Sequence, residues 1–384
     1  MAIDRYLNEE QPKSIYVSMG RSKSWFFKWL NRYKSGEVEW YADRPKSPKE
    51  ISRKTNLEME EIIKLTRQSL YNQDVFYGAQ AIHWELSEQG ISSLPSLRTI
   101  NRIISRNDLT HRRTGRYEPK GIPYPQFETK APNNRHQLDF VGPRHLRTKG
   151  KALRFYSLNV VDLATGRCGT QPLYNKSGNA VYEAIWGIWK RLGMPRHLQA
   201  DNEFAFYGSP THPRGMGPLI RLCLKYNIEL WFIPPAEPWR NGVVEQFNFH
   251  QQQKFLDRVI MESKAELEEG SLKYEYKHNS RYRYSKLGGK TPLATLENHK
   301  GVKLRFPDPD EPVPTMSLAK SMTGRYHLIR HIHGNGILNV FGEKFTLPPE
   351  LHYEYVVATV DVEQQRLLIF HDEIQRLDFE YKLR

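Results

Sequence analysis

The chain has little cysteine and no long hydrophobic run. Its 384 residues include only two cysteines, Cys168 and Cys223, which stand far apart among apolar neighbours. Two thiols so placed predict neither a disulfide framework nor a Cys/His zinc site, and we expect both to be small buried side chains. The lack of a long apolar run, a signal-like N-terminus or a lipidation motif argues against a membrane location and favours a reducing, cytoplasmic setting.

Acidic residues are outnumbered by basic ones. Lys and Arg total 57 against 43 Asp and Glu, which gives a formal net charge of +14. Clustered cations displace counterions from a phosphate backbone, so this balance indicates a polyanionic partner, and nucleic acid fits better than a membrane surface. A chain of this length is expected to form two to four domains.

Residues 1–42 predict a helix-turn-helix DNA-binding domain. Between positions 11 and 34 there is no acidic residue. A short helix over 14–19, a Gly-containing turn, and apolar residues at helical spacing from Ser24 onward are typical of this motif, whose second helix enters the major groove. The alternative is a small helical domain with a solvated basic face. The side chains expected to contact DNA are Arg21, Lys23, Lys28 and Arg32.

A second DNA-binding module is predicted over 57–117, after a basic Pro-containing linker over 43–56. Two helical segments are followed by a third helix that opens at Ser96 and carries apolar residues along one face. Its other face carries Arg98, Arg102 and Arg106, which we expect to contact DNA. Three helices of which the third is basic favour another helix-turn-helix. A Pro-rich stretch without periodicity predicts a further linker over 118–134.

The remainder of the chain predicts two more domains. Over 135–300, three successive strands precede alternating helices and strands, including helices over 179–192 and from 242 to about 260. This pattern implies an α/β core built on a mixed sheet covered by helices. Over 316–384, short apolar runs at close spacing, separated by turns, predict a small all-β barrel as a C-terminal domain.

Three carboxylates of the 135–300 segment stand where chemistry can be carried out. Asp139 lies in a predicted strand, Asp201 follows another strand, and Glu245 lies one turn into a helix. A strand-borne carboxylate can meet one at a neighbouring strand end, and a helix N-terminus can bring a third beside them. Hard oxygen donors suit two Mg²⁺ or Mn²⁺ ions, which would clamp the attacking and leaving oxygens of a phosphoryl displacement. Spacing alone proves nothing, because most carboxylates are solvated surface charges.

The residues around these carboxylates resemble the integrase-core family of bacterial insertion-sequence transposases and retroviral integrases. The matching features are Asp139 in its strand, 201–204 (DNEF), 238–248 (PWRNGVVEQFN), Asn279, Arg281 and 287–292 (LGGKTP). The resemblance covers roughly 134–296, with its landmarks in the family's order. It implies a ribonuclease H-like fold and a DDE triad, here Asp139, Asp201 and Glu245, as catalytic and metal-binding residues served by two Mg²⁺ or Mn²⁺ ions.

The sequence departs from the family pattern near two members of the triad. Glu203 stands where a glycine usually follows Asp-Asn, and the interval between Asp201 and Glu245 is enlarged, with the excess in a Gly/Pro-rich loop over 207–217. Gln246 replaces a basic residue that the family often has after its glutamate. Lys254 and Arg258, further along the same helix, are expected to grip a DNA end instead.

Further DNA contacts are predicted in the second half of the core. Residues 273–290 interleave cations with tyrosines, which is typical of a DNA groove, although some of these tyrosines must pack against the core. The residues of the core that we expect to contact DNA are Arg240, Lys254, Arg258, Arg281, Arg283 and Lys290.

Several other polar residues have a plainer interpretation. Asp162 follows a hydrophobic strand and is expected to cap a turn before Gly166 rather than to bind metal. Glu203 is a less favoured candidate metal ligand than the three carboxylates above, and His136 is expected to flank the site. His331 and His333 are expected to be ordinary strand histidines rather than metal ligands.

The resemblance implies a DNA transposase that binds double-stranded DNA at the ends of a mobile element. It would cleave a phosphodiester with metal-activated water and join the 3′ hydroxyl to target DNA by strand transfer. A homo-oligomeric synaptic complex is expected, since two ends must be joined, and a bacterial, nucleoid-associated protein fits better than a retroviral integrase, whose zinc module is absent. The alternatives are a ribonuclease H-like nuclease without joining activity and a domesticated, non-catalytic DNA-binding regulator.

Overall fold

The protein forms two compact units, Met1–Asn56 and Leu57–Arg384. The computed structural model describes residues 1–36, 38–43, 55–107, 109, 124–125, 127, 129–146, 152–209, 211–212, 214–315 and 322–383. Most of the predicted linker over 43–56, the end of the predicted second module and much of the linker over 118–134 therefore lie outside the described residues.

The first unit is helical. It contains α1 (Ala2–Leu7), α2 (Pro12–Ser18) and α3 (Lys23–Lys34). α3 begins after Ser22, whose hydroxyl accepts a hydrogen bond from the Trp25 amide at 3.1 Å and so satisfies a donor that the helix start leaves free. Ile15 and Phe26 are fully buried between the helices. Short helices joined by a Gly-containing turn are therefore confirmed, while the use of α3 in DNA recognition stays a prediction.

The second unit opens with three more helices, α4 (Leu57–Asn72), α5 (Ala79–Glu88) and α6 (Leu97–Arg106). Their buried residues, such as Ile82, belong to the same hydrophobic cluster as Tyr282 of the following α/β body. Gly289, at a φ of +84°, leaves room for the indole of Trp84, because any side chain at 289 would collide with that ring. These helices thus pack on the α/β body and share its core.

In the described residues, eleven strands form a nine-stranded mixed sheet at the centre of this unit and a separate two-stranded sheet. The strands are β1 (Arg135–Leu146), β2 (Leu153–Asp162), β3 (Cys168–Leu173), β4 (His197–Ala200), β5 (Glu229–Phe232), β6 (Arg325–His331), β7 (Ile337–Val340), β8 (Glu343–Thr346), β9 (Tyr355–Asp361), β10 (Arg366–His371) and β11 (Ile374–Glu380). Their order in the sheet is β11-β10-β9-β6-β5-β4-β1-β2-β3, and β7 pairs with β8 alone. β1, β2 and β3 are antiparallel, whereas β4 runs parallel to β1 and β5 parallel to β4.

Helices cover both faces of the sheet. They are α7 (Gly178–Leu192), α8 (Phe204–Tyr207), α9 (Pro218–Lys225), α10 (Gly242–Gln251), α11 (Lys264–Arg281) and α12 (Pro292–Glu297). Val160 and Val161 are successive residues of β2 that join different hydrophobic clusters, because side chains alternate between the faces of a strand. One cluster includes Trp186 of α7 and the other includes Val244 of α10. The predicted mixed sheet covered by helices is confirmed.

Two further predictions can be judged against this fold. Cys168 and Cys223 are both buried free thiols, as expected. In the part of the chain that the structure describes, no helix is both long enough and apolar enough to cross a membrane.

The prediction of a separate C-terminal barrel was wrong. β6 pairs in parallel with β5, and β9, β10 and β11 extend the same sheet outward by antiparallel pairing. Buried residues of β6 such as Leu328 join the same hydrophobic cluster as Leu198 of β4. Short apolar strands at close spacing can close a barrel or lengthen an existing sheet equally well. Here β6 pairs with the otherwise unpaired edge of β5, so the strands lengthen the sheet. The first six residues of the predicted domain, 316–321, lie outside the described residues.

Candidate active site

Asp139 and Asp201 come from neighbouring parallel strands. β1 and β4 pair in a register that sets Gln137 opposite Gln199, so Asp139 and Asp201, each two residues further on, lie next to each other across the two strands. Adjacent strands lie about 4.8 Å apart, which brings the two carboxyl groups to the same edge of the sheet. Asp139 lies within β1, whereas Asp201 directly follows β4.

Glu245 is brought to this edge by the start of α10, which two glutamines of the sheet hold in place. The Gln137 side-chain oxygen accepts hydrogen bonds from the amides of Val243 and Val244, both at 3.1 Å, and so caps the helix in the absence of a local capping side chain. The Gln199 amide donates to the Arg240 carbonyl at 2.9 Å. Glu245 lies one turn into the helix that these bonds orient.

Asn241 adds a third bond between the sheet and this turn. Its side-chain amide donates to the Leu138 carbonyl at 2.9 Å, and Asn241 itself is buried. The segment Pro238–Asn241 forms a single 3-10 turn ahead of α10. The residues over 238–244 are therefore held in place by bonds to β1 and β4 just before the two aspartates.

The three carboxylates raise the proton affinity of the site. The pKa of Asp139 is raised to about 7, mainly by burial and further by the charges of Asp201 and Glu245, while a hydrogen bond from the Phe140 backbone amide and the nearby Lys176 oppose the rise. Burial also raises the pKa of Asp201 and of Glu245, and Asp201 adds to the rise at Glu245. Like charges withdrawn from water destabilise one another, so the carboxylates at this edge of the sheet favour a proton or a further positive charge beside them.

The arrangement is a cluster of carboxylates rather than a finished coordination sphere. Among the residues that the structure describes, no three Asp, Glu, His or Cys side chains surround one point closely enough to bind a metal ion. One oxygen of Asp139, Oδ2, accepts a hydrogen bond from the Asn248 side chain at 2.7 Å. The candidate ligands are all hard carboxylate oxygens, which are the donors that Mg²⁺ and Mn²⁺ prefer.

Asn248 is the end of a buried polar network that the sequence analysis missed. Asn159 of β2 donates to the Asn248 side-chain oxygen at 2.8 Å and to Gln251 at 2.7 Å. Gln251 in turn donates to the hydroxyls of Ser157 at 3.0 Å and Thr170 at 2.9 Å. A signal was present, since Asn248 and Gln251 follow Glu245 at steps of three along one helix face and two polar residues interrupt the apolar run of β2.

The turn that carries Asp201 is held by a buried arginine, Arg330 of β6, which the sequence analysis also missed. Arg330 donates to the Asn202 side-chain oxygen at 2.8 Å and to the Ile233 carbonyl at 3.2 Å. Asn202 donates to the same carbonyl at 2.7 Å, and the Glu203 amide donates to Asp201 Oδ1 at 3.1 Å. No local pattern could have predicted this contact, because Arg330 comes from the strands that were assigned to a separate domain.

The other polar residues singled out in the sequence have partners within the chain. The Asp162 carboxylate accepts hydrogen bonds from the Thr165 and Ala164 amides, at 3.3 and 3.4 Å, and so caps the predicted turn. His136 is fully buried and contacts the Asn133 side chain at 3.1 Å, and since it stands three residues before Asp139 in the same strand its side chain faces the other side of the sheet. His331 and His333 pack against each other edge to face.

Several residues predicted to contact DNA in the core already have partners within the chain. Lys254 is buried, with its ammonium 4.4 Å from the Tyr77 ring centroid, and Arg258 forms an ion pair with Asp74. The remaining contacts are Arg281 with Gln73, Arg283 with Glu88 and Arg240 with Glu237 and the Tyr124 ring. Lys254, Arg258, Arg281 and Arg283 thereby join the α10 and α11 region to α4 and α5, a packing role that was not foreseen.

The predicted DNA-contact residues of the helical segments are more accessible. Arg98, Arg102 and Arg106 are exposed on α6, although Arg106 forms an ion pair with Glu60. Lys290 is exposed as well. In the first unit the exposed residues are Arg21, Lys23 and Lys28, while Arg32 is half-buried and donates to the Ala42 carbonyl at 2.8 Å. DNA contact by any of these residues stays a prediction.

Comparison with known proteins gives partial similarities to retroviral integrases. No protein-family model matches the sequence. The HTLV-2 integrase catalytic core domain in complex with magnesium is 20% identical, with a TM-score of 0.33 over 44% of this chain and 99% of that one. A simian T-cell lymphotropic virus intasome in complex with PP2A regulatory subunit B56 gamma is 15% identical, with a TM-score of 0.38 over 78% of this chain and 93% of that one. The BIV integrase catalytic core domain is 18% identical, with a TM-score of 0.32 over 43% of this chain and 95% of that one.

Proposed function

We propose that this protein is a DNA transposase that cleaves a phosphodiester at the end of a mobile element and joins the 3′ hydroxyl to target DNA. What supports the proposal is the β1–β4 register, which sets Asp139 beside Asp201, together with the effect of Glu245 on the pKa of Asp139 and of Asp201 on the pKa of Glu245. Burial raises the pKa of each of these carboxyl groups, and the carboxylates reinforce one another at Asp139 and Glu245. Carboxylates that destabilise one another's charge in this way favour a bound cation, which supports their assignment as metal ligands.

The topology of the sheet supports the same proposal. Strands β1, β2 and β3 form an antiparallel unit, β4 and β5 follow in parallel on the other side of β1, and helices cover both faces. We assign this arrangement to the ribonuclease H-like fold that the resemblance implies. In it, β1 carries Asp139, its parallel neighbour β4 leads into Asp201, and α10, the helix after β5, carries Glu245.

Asp139, Asp201 and Glu245 would hold two Mg²⁺ or Mn²⁺ ions. When bound, such ions supply Lewis-acid activation of the attacking water or hydroxyl and stabilisation of the leaving 3′ oxygen. The chain's own contribution is orientation: Asn248 fixes the Asp139 carboxylate, and Gln137 fixes the start of the Glu245 helix. Preorganised groups of this kind lower the reorganisation needed as the reaction proceeds.

Double-stranded DNA is the proposed substrate. The net charge of +14 favours it, and exposed cations lie on α3 and α6, where Lys23, Lys28, Arg98 and Arg102 face solvent. We further propose that two or more copies act together in a synaptic complex, because strand transfer at both ends of an element requires two sites. Divalent metal, DNA ends and other copies of this chain are thus the proposed partners.

The proposal is tested with purified protein, Mg²⁺ and DNA that carries the inverted repeats flanking the gene, either intact or already cleaved to expose the 3′ hydroxyl. We expect nicking of the intact end and joined products from the cleaved end. Asp139→Asn and Glu245→Gln should each lower the rates of both reactions by about 10³-fold or more, because each removes a carboxylate ligand of the metal ions that stabilise the transition state. Asp310→Asn, which removes an exposed carboxylate elsewhere, serves as the control.

The outcomes separate the three candidate functions. Hydrolysis without joining would contradict the transposase proposal and leave a nuclease of the same fold. Specific DNA binding with neither reaction, unchanged in the two substituted proteins, would leave a non-catalytic regulator.

A further inference from the structure

Lys176 lies in the short loop between β3 and α7, close to the carboxylate cluster. The loop is braced on both sides of this residue: the Asn175 side-chain oxygen accepts a hydrogen bond from the Ser177 amide at 2.9 Å, and the Ser177 hydroxyl accepts one from the Ala180 amide at 3.2 Å. Ser177 is the N-cap of the fifteen-residue helix α7. The backbone from which the Lys176 side chain extends is therefore held in one place.

The Lys176 ammonium rests between an acidic partner and two aromatic rings. It lies 3.1 Å from a Glu203 carboxylate oxygen, 4.5 Å from the Phe140 ring centroid and 5.1 Å from that of Tyr156. Phe140 is the residue after Asp139, and Glu203 follows Asp201 by two. The ammonium is thus positioned by neighbours of both aspartates, and the attraction of ring faces for a cation adds to the ion pair.

The charge of Lys176 acts on both aspartates. It lowers the pKa of Asp139 and of Asp201 against the stronger effect of burial. The ion pair with Glu203 is open to solvent, with 27% of the lysine side chain and 35% of the glutamate side chain exposed. An ammonium that is both within reach of the carboxylates and accessible from outside can exchange one anionic partner for another.

Resting on the proposed function, we propose that Lys176 binds a phosphate of the DNA at the catalytic site, and that Glu203 holds the ammonium there beforehand. A lysine ammonium is a compact point charge with three donors, suited to a phosphate oxygen that approaches from one side. DNA that places its scissile bond at Asp139 and Asp201 brings phosphates next to the cluster that Lys176 borders. Rotation of the flexible lysine side chain suffices to move its ammonium from Glu203 to the phosphate.

The proposal predicts opposite effects of one substitution on two measurements. Removing the charge with Lys176→Met takes a cation away from the metal-binding carboxylates, so Mn²⁺ should bind to the DNA-free protein about three- to tenfold more tightly. The same change should slow cleavage of the end DNA at saturating Mg²⁺ by about 30- to 100-fold, because a donor to the phosphate is lost. Lys176→Arg, which keeps the charge, should restore most of the cleavage rate.

The measurements are calorimetric titration of the metal-free, DNA-free protein with Mn²⁺, and single-turnover cleavage of the end DNA. Lys382→Met is the matched control, because Lys382 also pairs with a nearby glutamate, Glu380 at 2.7 Å, but is exposed near the C-terminus. It should change neither quantity. A partly exposed ion pair contributes little to folding, so the thermal midpoint of Lys176→Met should stay close to that of the wild type.

The possible results support or overturn the proposal as follows. Weaker Mn²⁺ binding together with slower cleavage and a lowered thermal midpoint would show that Lys176 only supports the fold, and would overturn the proposal. Unchanged cleavage by Lys176→Met would also overturn it, as would a Lys176→Arg protein no faster than Lys176→Met. A wild-type protein without any cleavage would overturn the proposed function as well, whereas an active wild type and an equally active Lys176→Met would overturn only the role of Lys176.

Discussion

Asp139 and Asp201 lie side by side on neighbouring strands, yet the structure supports them by opposite means. Asp139 is held by a network of neutral side chains, in which Asn248 connects it to Asn159 of β2. The turn after Asp201 is held by a buried cation, Arg330, which is 128 residues away from Asn202 in sequence. One support is built from the strands and helix that carry the site, and the other from strands that come much later in the chain.

This difference shows that the candidate site is not contained in one segment of the sequence. The residues of the Asp139 support all lie on β1, β2, β3 and α10. The Asp201 support requires β6, which extends the sheet beyond β5. The C-terminal strands, predicted to be an independent domain, are therefore part of the framework of the site.

The sharpest test of the comparison is removal of the buried charge. Arg330 also donates to the Asn339 carbonyl at 3.1 Å, and burial lowers its pKa to about 10, so it stays protonated at neutral pH. Arg330→Met would leave several buried acceptors without a donor and should lower the free energy of unfolding by about 3 kcal/mol. Urea unfolding of the metal-free protein measures the loss.

The control for this substitution is Arg366→Met on β10. Arg366 forms an ion pair with Asp378 at 2.6 Å in which both side chains are well exposed, so its loss should cost less than about 1 kcal/mol. Equal losses from Arg330→Met and Arg366→Met would show that the buried arginine has no special place in the framework.

A smaller loss is expected on the Asp139 side. Asn248→Leu removes one member of the neutral network and leaves part of the hydrogen-bonding capacity of Asn159 and Asp139 unused, which should lower the free energy of unfolding by about 2 kcal/mol. Gln253→Leu, at an exposed position just beyond α10, should stay within about 0.5 kcal/mol of the wild type. Urea unfolding again provides the measurement.

Combining the substitutions tests whether the two supports are separate. Asn248 and Arg330 share no hydrogen-bond partner among the contacts described, so the loss in the double variant should equal the sum of the single losses. A loss well below that sum would mean that the two aspartates are held by one coupled framework, contrary to the comparison drawn above.

The smallest expected effect concerns pH and the charge of Asp139. Its folded-state pKa of about 7 lies above the ordinary value of 3.8, so the folded protein binds the extra proton between these values. The resulting stabilisation is complete at low pH and is lost as the pH rises through 7. In metal-free protein, the stability advantage of Asp139→Asn over the wild type should therefore be larger at pH 8 than at pH 5, by about 1 kcal/mol or more.

Unfolding at both pH values in the presence of a chelator measures this difference. Asp310→Asn, at an exposed position, should show no such dependence on pH. An advantage of Asp139→Asn that is the same at pH 5 and pH 8 would mean that the Asp139 carboxyl group is not forced to ionise in an unfavourable setting.

Much of the α/β core was predictable because its elements carry their own signals. The helix predicted over 179–192 is observed as Gly178–Leu192, since its apolar spacing, its Ser cap and the following Gly are all local features. The helix predicted from 242 to about 260 begins where expected but leaves regular α geometry at Gln252, where a π-helical turn runs to Leu256. Packing of Lys254 against Tyr77 lies within that turn, and no periodicity in the sequence announces it.

The predicted DNA contacts divide along similar lines. A basic side chain at a helical position can be read from sequence, but whether it stays free depends on what packs beside it. Arg98 and Arg102 are exposed on α6, whereas Lys254 and Arg258 are engaged by α4 and the residues after it. Composition predicts a polyanionic partner, and only the packing of the helices shows which cations are still accessible to it.

By itself the sequence determined the alternation of strands and helices in the core and the choice of Asp139, Asp201 and Glu245 as candidates, because strand ends, helix starts and motif residues are local properties. The tertiary structure decided what surrounds these carboxylates. Arg330, Lys176 and Asn159 reach the site from separate strands and loops, and their roles depend on the order in which strands join the sheet. Hydrogen bonds between residues so far apart in the chain follow from packing, which no single stretch of sequence encodes.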